Sequence, residues 1–189
     1  MIKLIVGLGN PGRQYQRTRH NAGFWFLDEL ITRNSGSWSS EGRFEGLTSK
    51  VLIASKQVVL LKPETFMNLS GRSVGNLCRY YKFQAEEMLV VHDELDFEPG
   101  IVRLKKGGGH AGHNGLRDIV NNLGNKNFHR LRIGIGRPPG RQKVADYVLS
   151  EASSLDRQAI LNSFEPVYDK MEDLIEGSFE TVMNHLHSE

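Results

Sequence analysis

Apolar positions along the chain switch between two spacings, and the switches mark out the elements. Residues 2–8 form a near-continuous apolar run, Ile-Lys-Leu-Ile-Val-Gly-Leu. The run is too short for an ordinary helix, so it predicts a buried central strand that breaks into a glycine turn. Phe24, Leu27, Leu30 and Ile31 then recur at helical spacing, predicting a helix over about residues 21–32 with Asn21 in the cap position. Residues 47–54 and 58–61 read as two short strands, with Ser55-Lys56 as the hairpin turn between them. Val74, Leu77, Cys78 and Tyr81 mark a second helix, for which Ser70 is the expected N-cap. Residues 88–92 make another buried strand that delivers Asp93, Glu94 and Asp96 at its carboxyl end. A strand over 101–104 leads into a polar, glycine-dense loop over 105–115. Leu116, Ile119, Val120 and Leu123 mark the next helix, closed by Gly124. Leu131, Ile133 and Ile135 alternate along one more strand, which Pro138-Pro139-Gly140 stops.

The tail from about Ser154 is helical, with Val167, Met171, Leu174 and Ile175 on one stripe and Phe179, Val182, Met183 and Leu186 on the next. Pro166 breaks or kinks it. Strands alternating with helices predict an α/β fold: a single domain over residues 1–189, built on a twisted mixed β-sheet with helices on both faces. The hairpin is what makes the sheet mixed. A chain of 189 residues suits one domain.

Composition is ordinary for a globular protein and changes the picture little. The single cysteine, Cys78, rules out an internal disulfide and a cysteine-based zinc site, which fits a reducing cytosol. No run approaches the roughly 18 apolar residues of a membrane span, and the chain opens on a core strand rather than a targeting segment, so the expected compartment is the cytoplasm.

Charge distribution changes it more. The net charge is +2, but residues 1–100 balance to +1, residues 101–143 to +9 and residues 144–189 to −8. A basic segment beside an acidic tail is the footprint of a polyanion partner, because Lys and Arg contacts to phosphate release counterions. The alternative is a solvated basic face that the acidic tail neutralises.

Gly7, Gly9 and Gly12 satisfy G-x-G-x-x-G, the fingerprint of a dinucleotide-binding oxidoreductase. That fold needs a helix opening at the third glycine, and here Pro11 precedes Gly12 and residues 13–20 carry no apolar period. The polar groups offered by strand ends and loops are Asn10, His20, Asn68, Asp93, His113 and Asn114. No G-x-S-x-G elbow is present and Cys78 lies on an apolar helix stripe, so water is the favoured attacker. A histidine held by a carboxylate can deprotonate water near neutral pH, and His20 with Asp93 fits that pairing. Duller readings stand beside this one. His20 equally fits an ordinary loop histidine, and Asn68 and Asn114 fit backbone-satisfying roles. The sequence His92-Asp93-Glu94-Leu95-Asp96 and the pair His110/His113 have spacings a metal tolerates, but the absence of H-E-x-x-H weighs against one.

Several stretches together resemble one family. They are Gly7-Leu8-Gly9-Asn10-Pro11-Gly12 with Tyr15, Thr18-Arg19-His20-Asn21-Ala22-Gly23, and Lys62-Pro63-Glu64-Thr65-Phe66-Met67-Asn68-Leu69-Ser70-Gly71. His92 to Asp96, the loop 107–116 and Arg130-Leu131-Arg132-Ile133-Gly134-Ile135-Gly136-Arg137-Pro138 continue the match in order. They resemble the bacterial-type peptidyl-tRNA hydrolases. The resemblance implies a monomeric esterase, without metal or cofactor, that cuts the ester joining a peptide to tRNA. It implies that His20 activates water, that Asp93 keeps His20 basic, and that Asn10 distinguishes peptidyl-tRNA from aminoacyl-tRNA. By the same resemblance Asn68 and Asn114 bind substrate, Tyr15 and Phe66 lie near the tRNA end, and Met67 and His113 line the peptide cleft. Lys105 and Arg132 would hold tRNA phosphates, in agreement with the +9 segment. A tRNA-binding module without catalysis is the alternative that shares this charge pattern.

Overall fold

Strand β1 (Leu4–Gly7) sits in the middle of a seven-stranded sheet; the computed structural model describes residues 1–188. The other strands are β2 (Ser39–Glu41), β3 (Gly46–Ile53), β4 (Lys56–Pro63), β5 (Met88–Glu94), β6 (Val102–Lys106) and β7 (His129–Gly134). Their order across the sheet is β2-β3-β4-β1-β5-β7-β6. The central pairs β4-β1, β1-β5 and β5-β7 are parallel, and the outer pairs are antiparallel. This is the expected mixed sheet.

Successive side chains of a strand face opposite sides, so a strand covered on both faces must be apolar throughout. In β1, Leu4 and Val6 pack with Val74, Leu77, Leu116 and Ile119, which come from α2 (Ser70–Tyr81) and α3 (Asn114–Leu123). Ile5 faces the other way, onto Phe26 and Leu27 of α1 (Ala22–Arg33) and onto the C-terminal helices. Those helices are α5 (Ser154–Asn162), α6 (Glu165–Asp169), α7 (Met171–Glu176) and α8 (Phe179–His187). Each fully buried aliphatic side chain of this kind contributes about 1.5–3 kcal/mol. Pro166 lies in the first turn of α6, where its missing N–H does no harm, and the chain breaks just before it. Strand β2 and the five-residue α4 (Val144–Val148) carry no periodic signal and were not expected.

Two expectations need correction. The hairpin turn is Ala54-Ser55, one residue earlier than the spacing indicated, with φ of 53° and 61° and Ile53 paired to Lys56. Positive φ at both central residues suits a two-residue hairpin, but neither residue advertises it as Asn or Gly does. Ser70 is the first residue of α2 rather than its cap, and its hydroxyl donates to the Met67 carbonyl at 2.7 Å. The Gly71 N–H is capped from α3 instead, by Asp118 Oδ2 at 2.8 Å. A Cβ on Gly71 would come within 2.1 Å of the Asp118 carbonyl oxygen, so the glycine is what lets the two helices approach.

The dinucleotide alternative also fails. Gly12 is followed by the 3-10 turns Arg13–Tyr15 and Arg19–Asn21, and α1 begins only at Ala22. Gly7 and Gly9 serve packing: a Cβ on Gly7 would lie 2.5 Å from the Gly23 carbonyl oxygen, and one on Gly9 would lie 2.7 Å from the Phe24 ring. Helix α1 is thereby seated against the carboxyl end of β1.

Candidate active site

In an open α/β sheet the crevice outside the carboxyl ends of the parallel strands is the usual ligand site. Strand β5 brings Asp93 there, and the turn before α1 brings His20. The two are 73 residues apart in sequence, yet His20 Nδ1 lies 2.8 Å from Asp93 Oδ2. A carboxylate only accepts, so His20 Nδ1 carries the proton and Nε2 keeps its lone pair. Among the described residues Nε2 has no partner. Burial draws the His20 pKa down, but the Asp93 charge and hydrogen bond outweigh it and hold the pKa above the ordinary value.

Asp93 Oδ1 holds a second imidazole, accepting from His113 Nε2 at 2.8 Å. His113 is the N-cap of α3, where its Nδ1 accepts the Leu116 N–H at 3.3 Å. That bond fixes the tautomer with the proton on Nε2, aimed at Asp93. Burial alone would raise the Asp93 pKa; the two histidines overcome it and keep the carboxyl far below its usual range. The neighbouring His92 is different. It donates from Nδ1 to the Asp93 main-chain carbonyl at 2.7 Å, and burial, with His113 beside it, pushes its pKa down to about 3. His92 is therefore neutral, and its Nε2 finds no partner among the described residues.

His20, Asp93 and His113 line a cavity of about 560 Å³ together with Asn114, Lys105 and Arg132. Val144, Ala145 and Val148 of α4 form its apolar side. Arg19 ties α4 to the His20 turn: its Nη1 donates to Ser150 Oγ at 2.6 Å and its guanidinium lies 4.0 Å from the Tyr147 ring centroid. The remaining predicted residues lie around this cavity rather than in it. Asn10 is buried, with its Oδ1 accepting the Met67 N–H at 2.7 Å. Met67 is buried too, and its sulfur lies where a Cβ on Gly115 would be 2.6 Å away. Asn68 is exposed and shares a shallower cleft with Asn114 and Arg117, so Asn114 belongs to both hollows. Tyr15 and Phe66 meet edge to face with centroids 6.4 Å apart, and Phe66 is 56% exposed.

Asn21 occupies the cap position of α1 that the sequence predicts, but its side chain makes no cap bond. It brackets the Asn10 backbone instead, accepting the Asn10 N–H at 2.8 Å and donating to the Asn10 carbonyl at 3.0 Å. Its place directly after His20 was the available signal. For a metal, the ligand atoms of His20, Asp93 and His113 fall within 4.8 Å of one another. Both imidazole nitrogens that face Asp93 are protonated by the hydrogen bonds just described, so an ion there would have to displace two protons.

The ion pairs show where the acidic tail makes direct contacts. Among the described residues the acidic tail pairs with Arg33 and Lys56, and Arg17 pairs with Glu151. Among the described residues no basic residue of 101–143 forms an ion pair with that tail; Arg132 and Arg137 face Glu94 and Asp96 at the cavity wall. Of the positive segment, the exposed Lys105 lies at the cavity with no ion pair among the described residues.

Comparisons with known proteins identify the family. The family model described as peptidyl-tRNA hydrolase matches residues 4–189. A peptidyl-tRNA hydrolase of Methylococcus capsulatus is 54% identical over 187 residues, covering 99% of this chain and 100% of that one. One from Haemophilus influenzae is 54% identical over 179 residues, covering 94% and 90% of the two chains. The crystal structure of the Acinetobacter baumannii peptidyl-tRNA hydrolase superposes with a TM-score of 0.94 at 44% identity, covering 98% of this chain and 94% of that one. The chain belongs to the peptidyl-tRNA hydrolase family.

Proposed function

We propose that this enzyme hydrolyses the ester between peptide and tRNA in peptidyl-tRNA by activating water at His20. The observation that carries the reading is the 2.8 Å bond from His20 Nδ1 to Asp93, which leaves Nε2 as a base at the cavity. Water gives its proton to His20 Nε2 and its oxygen attacks the ester carbonyl carbon. Asp93 stabilises the imidazolium that forms. The tetrahedral intermediate collapses, the ribose oxygen leaves, and the imidazolium returns the proton to it. The products are a tRNA with its terminal hydroxyl restored and a peptide carboxylic acid, which loses the second water proton to solvent and becomes the carboxylate.

Asn68 and Asn114 hold the substrate and the developing oxyanion with their amides, and their shared cleft supports that role. Asn10, fixed by Asn21 and Met67, distinguishes N-blocked from free aminoacyl-tRNA. Met67 and His113 border the peptide. Tyr15 and the exposed Phe66 receive the tRNA end by stacking. Lys105 and Arg132 take phosphates, which gives affinity for many tRNAs without reading bases. The His20, Asp93 and His113 cluster is complete within one chain, so this reading needs no second subunit and takes the enzyme as a monomer. No helix among the described residues is long and apolar enough to cross a membrane. A tRNA substrate and a lone cysteine support a cytoplasmic setting.

The test is hydrolysis of N-acetylated against free aminoacyl-tRNA by wild type and His20→Ala. Wild type cleaves only the blocked substrate, and the variant binds tRNA but turns over about a hundred- to ten-thousandfold more slowly. Equal cleavage of both substrates, or near-normal turnover by the variant, refutes the assignment.

A further inference from the structure

Arg130, in β7, is only 2% exposed, and among the described residues no carboxylate pairs with it. A buried guanidinium without a counter-charge is unfavourable unless its N–H groups are satisfied. Its two Nη nitrogens are satisfied by main-chain carbonyls, while Nε finds no partner among the described residues. Nη1 donates to the Gly109 carbonyl at 2.6 Å, and Nη2 donates to the Gly108 carbonyl at 2.7 Å and the Lys126 carbonyl at 3.4 Å. The guanidinium carbon also lies 4.7 Å from the Phe128 ring centroid, which packs the fork from the side.

Two of the gripped carbonyls, those of Gly108 and Gly109, belong to the glycine loop along the cavity. Gly107 and Gly108 have φ of 66° and 94°, a path that glycine takes freely but that glycine also leaves freely. A loop this rich in glycine needs an outside hold to keep one shape. Its far end carries His113, bonded to Asp93, and Asn114, the first residue of α3. We propose that Arg130 is a positioning residue for the reaction: its planar fork fixes the Gly108 and Gly109 carbonyls, and so holds the loop with His113 on Asp93. Its role differs from that of Lys105 and Arg132, because both Nη atoms are spent on carbonyls and are not offered to phosphate. The inference rests on the His20/Asp93 centre being the active site.

Two variants test it. Arg130→Lys keeps the charge but not the planar fork, and Arg130→Ala leaves a space of guanidinium shape. Both lower kcat on N-acetyl-aminoacyl-tRNA between about ten- and a hundredfold, as expected for a slightly misplaced site. KM stays within about threefold of wild type, because tRNA binding is untouched. Amide exchange at residues 109–113 speeds up in both. Millimolar guanidinium restores much of the kcat of Arg130→Ala, whereas urea, of similar shape but uncharged, does not. Wild-type kcat in Arg130→Lys, or a raised KM at unchanged kcat, overturns the proposal in favour of a simple charge contact. If Arg130→Ala fails to fold, Arg130→Lys decides alone, and unchanged exchange at 109–113 overturns the proposal. A wild-type enzyme inactive on the blocked substrate would instead fault the functional reading.

Discussion

Replacing Asp93 with Asn probes the centre most directly, because both of its carboxylate oxygens accept an imidazole N–H at 2.8 Å. An amide offers one acceptor and one donor in the same space. If its nitrogen faces His20, the His20 proton moves to Nε2 and the base is lost. If it faces His113, that proton moves to Nδ1, where it meets the Leu116 N–H that now bonds there at 3.3 Å. Either arrangement breaks one charge-assisted bond, worth about 1.5–3 kcal/mol and hence roughly ten- to 150-fold in rate if it acts in the transition state. The wrong tautomer adds to that, so kcat falls about a hundred- to ten-thousandfold. The pH profile supplies the sign. In wild type, activity rises with pH as His20 loses its proton, through a pKa above the ordinary value because Asp93 favours the imidazolium. Without the carboxylate only burial remains, and burial lowers a histidine pKa. The rising limb of kcat/KM in Asp93→Asn therefore moves to lower pH. Single-turnover hydrolysis of N-acetyl-aminoacyl-tRNA over pH 5–9 measures both effects. A limb that stays in place, or a kcat within about threefold of wild type, refutes the base assignment.

Other outcomes follow from the same contacts. Lys105→Ala raises KM severalfold at unchanged kcat and lowers the slope of log KM against log salt by about one; a salt-insensitive KM in wild type counts against the phosphate role. Asn21→Ala removes both bonds to the Asn10 backbone, at about 1 kcal/mol each, so Tm falls by about 4–8 °C and kcat/KM drops with it; an unchanged Tm and unchanged kinetics would make the bracket idle. Asp118→Ala uncaps α2 at a loss of about 1 kcal/mol and lowers Tm by about 2–4 °C; a calorimetric scan that finds no shift refutes the capping assignment.

The parts of this molecule that were legible in its sequence are those that rest on local pattern. The runs at 2–8 and 88–92 gave β1 and β5 because strands covered on both faces have no polar option, and Leu4, Ile5 and Val6 show both faces in use. His20 and Asp93 were legible as a pair by chemical type, and the structure brings them together. The misreadings share a cause. Ser70 and Asn21 were assigned to the helices they precede, since Ser and Asn usually cap locally. Here a close tertiary approach outbids that habit. Gly71 lets Asp118 reach the α2 terminus, which leaves the Ser70 hydroxyl to bond backwards. Asn21, already beside β1, bonds the backbone of Asn10.

Arg130 was invisible for a related reason. In a strand whose Leu131 and Ile133 face one core, an arginine directly before Leu131 looks like the solvated half of an alternation. The basic balance of residues 101–143 then counts it as one more phosphate contact. Its burial, and the two loop carbonyls it holds, show that equal charges in that segment do unequal work. Lys105 lies exposed at the rim, where salt screens it, whereas Arg130 is enclosed and screened little. Ionic strength should therefore act on substrate capture through the rim and leave the loop geometry alone, which separates the two roles in one titration: KM climbs with salt while kcat holds steady. A kcat that fell in step with capture would mean that the loop depends on the rim charges, and that Arg130 does not hold it by itself.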